Sequence, residues 1–406
     1  MSNPFRVQGV VRPPYFTNRS EELERITAAL RSPGSKLLVY GERRLGKTST
    51  LVVARERVQQ DGLPVVLADF STASSVADLA HRLIRATGEA LDSRWQDWSR
   101  RLVERLRISV RLEPDPATGL AVPVMGAELR DQPPEQQYET LTDLLDTIDT
   151  MAAERESSVA VILDEFQEIH RLGGERAEWR LRSVLQHHEH TSYVLSGSRM
   201  SLIRSMVGRE RALYKLVDLL RMGPLPPPEF AGWIEERMEA GGRPCRGLGE
   251  ACLRAAGPRT RDVVQLARRC FDIGPDAAGG DPRPLVRQAL REIVEEEEDL
   301  ARVVWDQCTA IQQKVLRAVA AAEAGITTEQ VRTRFNLPQS GTVSNTAGGL
   351  VDEGVLVRTD ATPGYDFDSP FVRGWVILHP LADHGASADL LDRPAAREYM
   401  SGSRAE

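Results

Sequence analysis

The stretch GERRLGKTST, at residues 41–50, contains residue types and a spacing that suit phosphate binding. It fits the pattern GxxxxGK[ST], in which glycines let backbone N–H groups point at phosphate oxygens. Lys47 would contact the β- and γ-phosphates, and the Thr48 hydroxyl would ligate Mg²⁺. We therefore predict a triphosphate-binding loop with these contacts: Gly41, Glu42, Arg43, Arg44, Leu45, Gly46, Lys47, Thr48 and Ser49.

Two apolar segments must position this loop. KLLVY, before it, is typical of a buried parallel strand, and TSTLVVARERVQQ, within and after it, is typical of a helix. The N-terminus of that helix would add a partial positive charge beside the bound phosphates. A strand before the loop and a helix after it make a chance match to the pattern improbable.

A second set of polar residues follows another apolar run, in SSVAVILDEFQEI at residues 157–169. VAVIL is typical of a central parallel strand, and it ends at Asp164 and Glu165. Ligands of open α/β sheets bind at the carboxyl ends of the strands. We predict that Asp164 holds the Mg²⁺ shell and that Glu165 polarises the attacking water.

Two further catalytic candidates lie downstream. TSYVLSGSR, at residues 191–199, predicts a fourth strand, and a hydroxyl at its end could sense the γ-phosphate; we favour Ser198 over Ser196. The next segment predicts a helix and turn with Arg204, Arg209 and Arg211. In oligomeric ATPases such an arginine can reach a neighbour's γ-phosphate, and we select Arg209. Ordinary solvated arginines are the alternative at these positions.

The composition excludes several classes of protein. The 406 residues carry a net charge of −7, so there is no general attraction to nucleic acid. The four cysteines form no CxxC pair, which gives no indication of a zinc site or a disulfide framework. There is no apolar run long enough to span a membrane and no secretory signal pattern, so we expect a cytoplasmic protein without membrane contact.

The C-terminal third raises the question of a DNA partner. Residues 306–376 are typical of three helices and a two-stranded wing, and winged helices often bind DNA. However, this segment has six basic and eight acidic residues, and the presumed recognition helix, SGTVSNTAGGLVDEG, has no lysine or arginine. Because DNA affinity comes mainly from neutralised phosphates, we favour a protein-contact or nucleotide-gating role.

Together these segments resemble the archaeal-type P-loop ATPases, a branch of the AAA+/STAND group. The resemblance is carried by these stretches: FTNRSEELERI, GERRLGKTS, LDEFQEI, LQHHEHTSYVLSGS, PLPPPEFAGWI and AAGPRTRDVVQLA. It covers about residues 5–275 and, more weakly, a C-terminal winged helix. It implies an α/β fold with a P-loop core, a parallel sheet, a helical lid and a C-terminal winged-helix domain.

The predicted boundaries follow from this resemblance and from the linkers. We expect the core at residues 1–225, with a β-hairpin insertion at about 106–130. We expect the lid at residues 226–284, a long helix and the winged helix at 285–383, and a tail at 384–406.

The resemblance also implies residue roles beyond the loop. Asp164 and Glu165 match the acidic pair of these ATPases, and Gly197-Ser198 matches their sensor. Phe16, Asn18 and Arg19 lie in the segment that matches an F-x-x-R motif lying against the adenine. Pro258 and Arg259 match the lid motif that faces the nucleotide.

The predicted function is Mg²⁺-dependent hydrolysis of ATP to ADP and phosphate by a nucleotide-driven switch. The preference for ATP rests on the resemblance alone. The predicted partner is another protein or a second copy of the chain. Two alternatives stay open: an ATP-dependent DNA-binding protein related to the origin-recognition ATPases, and a switch that binds ATP with little turnover.

Overall fold

A computed structural model of the chain describes residues 2–90, 110–114, 121–125, 133–198, 200–275, 280–321 and 323–402. The chain divides into two compact units, which we name the sheet unit (Arg19–Gly223) and the helical unit (Met1–Asn18 with Pro224–Glu406). Among the described residues, no helix combines the length and the apolarity that crossing a bilayer requires.

The sheet unit is built on five parallel strands. They are β1 (Lys36–Tyr40), β2 (Val65–Asp69), β5 (Val159–Asp164), β6 (Thr191–Gly197) and β7 (Asp218–Arg221), in the spatial order β2-β5-β6-β1-β7. Every residue of β5 and β6 is buried, as expected for central strands of a sheet covered on both faces. The register pairs Asp69 with Asp164 and Tyr40 with Gly197, so the carboxyl ends of these strands share one edge.

Helices cover this sheet. They are α1 (Ser20–Arg31), α2 (Lys47–Gln60), α3 (Val76–Ala90), α4 (Pro134–Glu154), α5 (Glu168–Leu185) and α6 (Met200–Val207). Leu79 of α3, Leu144 of α4 and Leu181 of α5 belong to one buried cluster with strand residues such as Val161. Burial of such side chains contributes about 1.5–3 kcal/mol each, so this cluster fixes the sheet that carries the site.

The predicted hairpin insertion is present as an antiparallel pair, β3 (Val110–Pro114) and β4 (Ala121–Met125). Its turn lies outside the described residues. Residues 94–106, whose sequence pattern predicts a helix, also lie outside the described residues.

The helical unit contains most of the remaining elements. They are α7 (Pro227–Ala240), α8 (Leu248–Ala256), α9 (Thr260–Ile273), α10 (Arg283–Glu296), α11 (Glu298–Asp306), α12 (Ala310–Ala321), α13 (Glu329–Arg334), α14 (Ser340–Asp352), β8 (Leu356–Arg358), β9 (Tyr365–Phe367), α15 (Pro370–Val376), a π-helical turn (Ile377–Leu381) and α16 (Pro394–Met400). The strands β8 and β9 form an antiparallel pair after three helices.

Three features of this unit differ from the sequence predictions. The expected single long helix is two helices, because the backbone at Glu297 leaves helical geometry (φ −98°, ψ 11°). The N-terminal residues that we assigned to the core pack here instead, where Phe5 makes edge contacts with Trp233 and Phe271. The expected tail is folded to Met400, with Arg393 only 1% exposed.

Candidate active site

The loop between β1 and α2 needs its two glycines for different reasons. A Cβ atom on Gly41 would lie 2.3 Å from the carbonyl oxygen of Met222, so no larger residue fits without moving backbone. Gly46 has open space around it but adopts φ +92°, which L-residues rarely do. The first glycine therefore allows close packing against the segment after β7, and the second allows the turn into α2.

Lys47 is buried inside this loop and is 5% exposed. Its Nζ donates hydrogen bonds to the carbonyl oxygens of Gly41 (2.8 Å) and Glu42 (2.6 Å). The ammonium group is thus held within the curl of the loop, beside the backbone N–H groups at the start of α2. Such a curl of amides at a helix N-terminus, with a cation inside it, favours an anion.

Asp164 lies at the end of β5 and is 2% exposed. Its Oδ2 accepts a hydrogen bond of 2.7 Å from the hydroxyl of Thr48, and its Oδ1 accepts one of 3.0 Å from the backbone N–H of Glu165. Burial raises the pKa of Asp164 above its ordinary value, and the hydrogen bond from Thr48 acts in the opposite direction. Two oxygen ligands of the kind that Mg²⁺ prefers therefore meet at one point.

Glu165 follows directly, with its backbone in the left-handed region at φ +53°. Its Oε2 accepts a hydrogen bond of 2.7 Å from the hydroxyl of Ser198 and another from the amide of Gln167. The fold thus brings Glu165 and Ser198, from the ends of β5 and β6, into direct contact.

The other residues of the loop differ in exposure. Glu42 and Arg43 are exposed, Arg44 is half-buried with φ +65°, and Leu45 is buried. Ser49 is half-buried in the first turn of α2.

Arg19 is a buried structural residue in the sheet unit, 5% exposed. Its guanidinium donates to the carbonyl oxygens of Leu45 (3.0 Å) and Gly223 (2.8 Å) and pairs with Glu22 (2.7 Å). The Arg19 guanidinium therefore supports the phosphate loop, and its expected place near an adenine stays a prediction. Phe16 and Asn18 belong to the helical unit, where the side-chain amide of Asn18 donates to Glu229.

The arginines after β6 fall into two classes. Arg209 is exposed in the turn that follows α6. Arg211 pairs with Glu175 and with the fully buried Glu178, so its guanidinium is held within the sheet unit. Of these two candidates, Arg209 is exposed and Arg211 is half-buried.

Pro258 and Arg259 lie in the helical unit, at the start of α9. The peptide bond between Gly257 and Pro258 is cis. Arg259 is 6% exposed and forms an ion pair with Asp368, just before α15. Its guanidinium therefore connects the predicted lid to the C-terminal part of the same unit.

Gln167 is the site residue that the sequence analysis missed. It is 1% exposed and contacts both Glu165 and the backbone of Ser198. The available signal was its position in LDEFQ, where a glutamine follows the acidic pair at the end of a buried strand.

Comparisons with known proteins identify a similar domain and a similar fold. Residues 15–196 match a model of the AAA ATPase domain. A Walker-type ATPase of Pyrococcus abyssi has a similar structure, with a TM-score of 0.57 and 16% identity over 92% of this chain and 99% of that one. The ADP form of the ORC2 protein of Aeropyrum pernix gives a TM-score of 0.50 and 17% identity over 94% of this chain and 98% of that one.

At these identities the two structures establish the fold and not the activity, and no curated protein matches the sequence significantly. The family match covers the loop of residues 41–48, the acidic pair after β5 and most of β6. Residues 15–196 are therefore similar to the AAA ATPase domain, and the predicted resemblance of the chain to the archaeal-type P-loop ATPases is confirmed at the level of the fold.

Proposed function

We propose that the sheet unit binds ATP with Mg²⁺ at the loop of residues 41–48 and hydrolyses it to ADP and phosphate. One observation carries the proposal. The hydroxyl of Thr48 and Oδ2 of Asp164 are 2.7 Å apart, although the two residues come from different elements and are separated by 116 positions. A buried carboxylate and a hydroxyl at the opening of an amide-lined loop suit a phosphate-bound divalent cation.

The ligand chemistry of this site fits Mg²⁺. Thr48 and Asp164 supply oxygen atoms, which hard cations prefer, and neither histidine nor cysteine is part of the pair. When bound, Mg²⁺ would offset negative charge on the β- and γ-phosphates. Thr48 and Asp164 would hold it, and their present hydrogen bond would be exchanged for bonds to the metal shell.

The protein's own residues have distinct roles in this proposal. Lys47 would turn from the carbonyl oxygens of Gly41 and Glu42 to the phosphate oxygens, where its charge opposes the developing charge. Glu165 would orient the attacking water and accept its proton. Ser198, whose hydroxyl contacts Glu165, would link that carboxylate to the end of β6.

We further propose that the protein is a nucleotide-driven switch with a protein partner or a second copy of itself. The helical unit would pass the nucleotide state to that partner. Its α14, on the segment predicted to be a winged helix, contains no lysine or arginine, which disfavours DNA. The exposed Arg209 is the candidate for contact with a neighbouring copy.

Phosphate release and ATP affinity of three variants test the hydrolysis proposal. Lys47→Ala is expected to abolish ATP binding. Glu165→Gln is expected to keep the ATP affinity within a few-fold and to lower turnover by about 10²–10⁴-fold, the contribution of a general base. Glu189→Gln, at an exposed glutamate before β6, is the matched control and should behave as wild type.

The same assays separate the alternatives. Wild-type turnover in Glu165→Gln would overturn the assignment of the base. Normal ATP affinity with negligible turnover in the wild-type protein would favour a binding-only switch. Retention on DNA at low salt, with a steep loss as salt rises, would favour the DNA-binding alternative.

A further inference from the structure

The end of β5 and the end of β6 are joined by a closed set of hydrogen bonds around one carboxylate oxygen. Oε2 of Glu165 accepts from both the Gln167 amide and the Ser198 hydroxyl. The side-chain oxygen of Gln167 in turn accepts from the backbone N–H of Ser198, at 3.3 Å. Both polar ends of Gln167 are therefore engaged, as a glutamine that is only 1% exposed requires.

The packing around Gln167 is built for this arrangement. A Cβ atom on Gly197 would lie 2.8 Å from the side-chain oxygen of Gln167 and 2.4 Å from Cδ1 of Ile203. Because glycine occupies this position, the glutamine can reach the backbone of Ser198. Any larger residue at position 197 would collide with the side chain of Gln167 in its present position.

The backbone of Glu165 is strained in this arrangement. Its φ of +53° is unfavourable for a residue with a side chain, by roughly 1–2 kcal/mol. Neighbouring contacts hold it there, including the hydrogen bond of 2.7 Å from the Phe166 N–H to the Ser196 carbonyl oxygen. Strained residues of this kind persist where their surroundings over-determine them, often at functional sites.

We propose that Gln167 is the positioning residue for Glu165. It occupies Oε2 together with Ser198, and among the described residues Oε1 has no hydrogen-bond partner, so that oxygen is left to orient water. Gln167 also makes the orientation of Glu165 depend on the position of the β6 end. This inference rests on the proposed role of Glu165 in hydrolysis, and Gln167 would act through that carboxylate.

The test is Gln167→Met, which keeps the side-chain volume and removes both hydrogen bonds. We expect kcat to fall by about 10–100-fold, in the range of a misoriented general base, while the Kd for ATP stays within about twofold. In a Glu165→Gln background the same substitution should lower kcat no further, because Gln167 acts through that carboxylate. The matched control is Gln137→Met, at another buried glutamine of the sheet unit, whose amide oxygen accepts from the Ala77 N–H.

Two further measurements test the proposal, and the first does not require ATP turnover. In the nucleotide-free protein, Gln167→Met should speed hydrogen exchange at the Ser198 amide, which loses its acceptor, whereas Gln137→Met should not. Gly197→Ala should displace the side-chain oxygen of Gln167. It should therefore cause part of the fall in kcat and part of the faster exchange at the Ser198 amide.

The outcomes distinguish this inference from the proposed function. An equal fall in kcat for Gln137→Met, or an additional fall in the Glu165→Gln background, would overturn the positioning role. Wild-type exchange at the Ser198 amide in Gln167→Met would do so even if the protein showed no turnover. An absence of wild-type turnover with faster Ser198 exchange would overturn the hydrolysis proposal alone.

Discussion

The guanidinium of Arg19 donates a hydrogen bond of 3.0 Å to the carbonyl oxygen of Leu45, in the middle of the phosphate loop. A second bond, to the carbonyl oxygen of Gly223, holds the same group against the segment after β7. Arg19 therefore connects the start of α1, the loop and the edge of the sheet. Arg19 thus supports the loop at Leu45, although the two residues are 26 positions apart in the sequence.

Arg19→Met should weaken ATP binding because the loop loses this support. Hydrogen bonds from a charged group are worth about 1.5–3 kcal/mol each, divided here between folding and binding, so we expect a rise in Kd of about tenfold. Isothermal titration with ATP measures it. Arg25→Met is the control, since Arg25 lies on α1, the helix that begins directly after Arg19, and donates to the carbonyl oxygen of Leu219 from an exposed position. An equal change in both variants would contradict a specific role for Arg19.

Gly46→Ala and Gly62→Ala should destabilise the protein to a similar extent but differ in ATP affinity. The two glycines have φ of +92° and +86°, and neither has a neighbour within 4 Å of an added Cβ, so each substitution introduces strain of about 1–2 kcal/mol. Only Gly46 precedes Lys47, and relaxation of its backbone would redirect the loop amides. Urea unfolding and ATP titration together check this. Unchanged ATP affinity in Gly46→Ala would show that the turn into α2 does not define the site.

Asp366→Asn should destabilise the helical unit strongly. Asp366 is 1% exposed, and it lies 3.1 Å from Nε of Arg393 and 3.9 Å from Nε of Arg373. Burial lowers the pKa of Arg373 to about 10, and Asp366 opposes that shift. Removing one partner of a buried ionic cluster leaves uncompensated charge and costs about 3–5 kcal/mol.

Urea titration followed by hydrogen exchange measures this loss in the helical unit. Asp360→Asn is the control, because Asp360 is exposed close to the same strand pair. A loss in Asp366→Asn no larger than that of the control would contradict the structural role of the cluster.

The sequence predicted the parts of the site that are local in the chain. Gly41, Gly46, Lys47 and Thr48 lie within eight positions, and Asp164 ends a run of apolar, mostly β-branched residues that is typical of a buried strand. For such segments, the function directly requires certain residue types at a certain spacing, so the pattern can be recognised in the sequence. The order of the elements, including the parallel sheet, follows from the same alternation of apolar strands and helices.

The missed features depend on distant partners. The interior position of Arg19 is fixed by Gly223, 204 positions away, and that of Arg393 by Asp366, 27 positions away. An isolated arginine or glutamine in a sequence is usually exposed, so only the folded partners identify these as buried. For the same reason, residues 384–406 looked like a tail and Gln167 was not selected as a site residue.

The Mg²⁺ dependence of ATP binding tests the central claim most directly. ATP affinity is measured with Mg²⁺ and with a chelator for the wild-type protein, Asp164→Asn and Asp69→Asn, the last being a control at the exposed aspartate paired with Asp164 in register. We predict that Mg²⁺ tightens ATP binding by about tenfold or more in the wild type and in Asp69→Asn, a coupling of at least about 1.4 kcal/mol, and that this gain disappears in Asp164→Asn. A full Mg²⁺ effect in Asp164→Asn would contradict the assignment of Thr48 and Asp164 as the metal site.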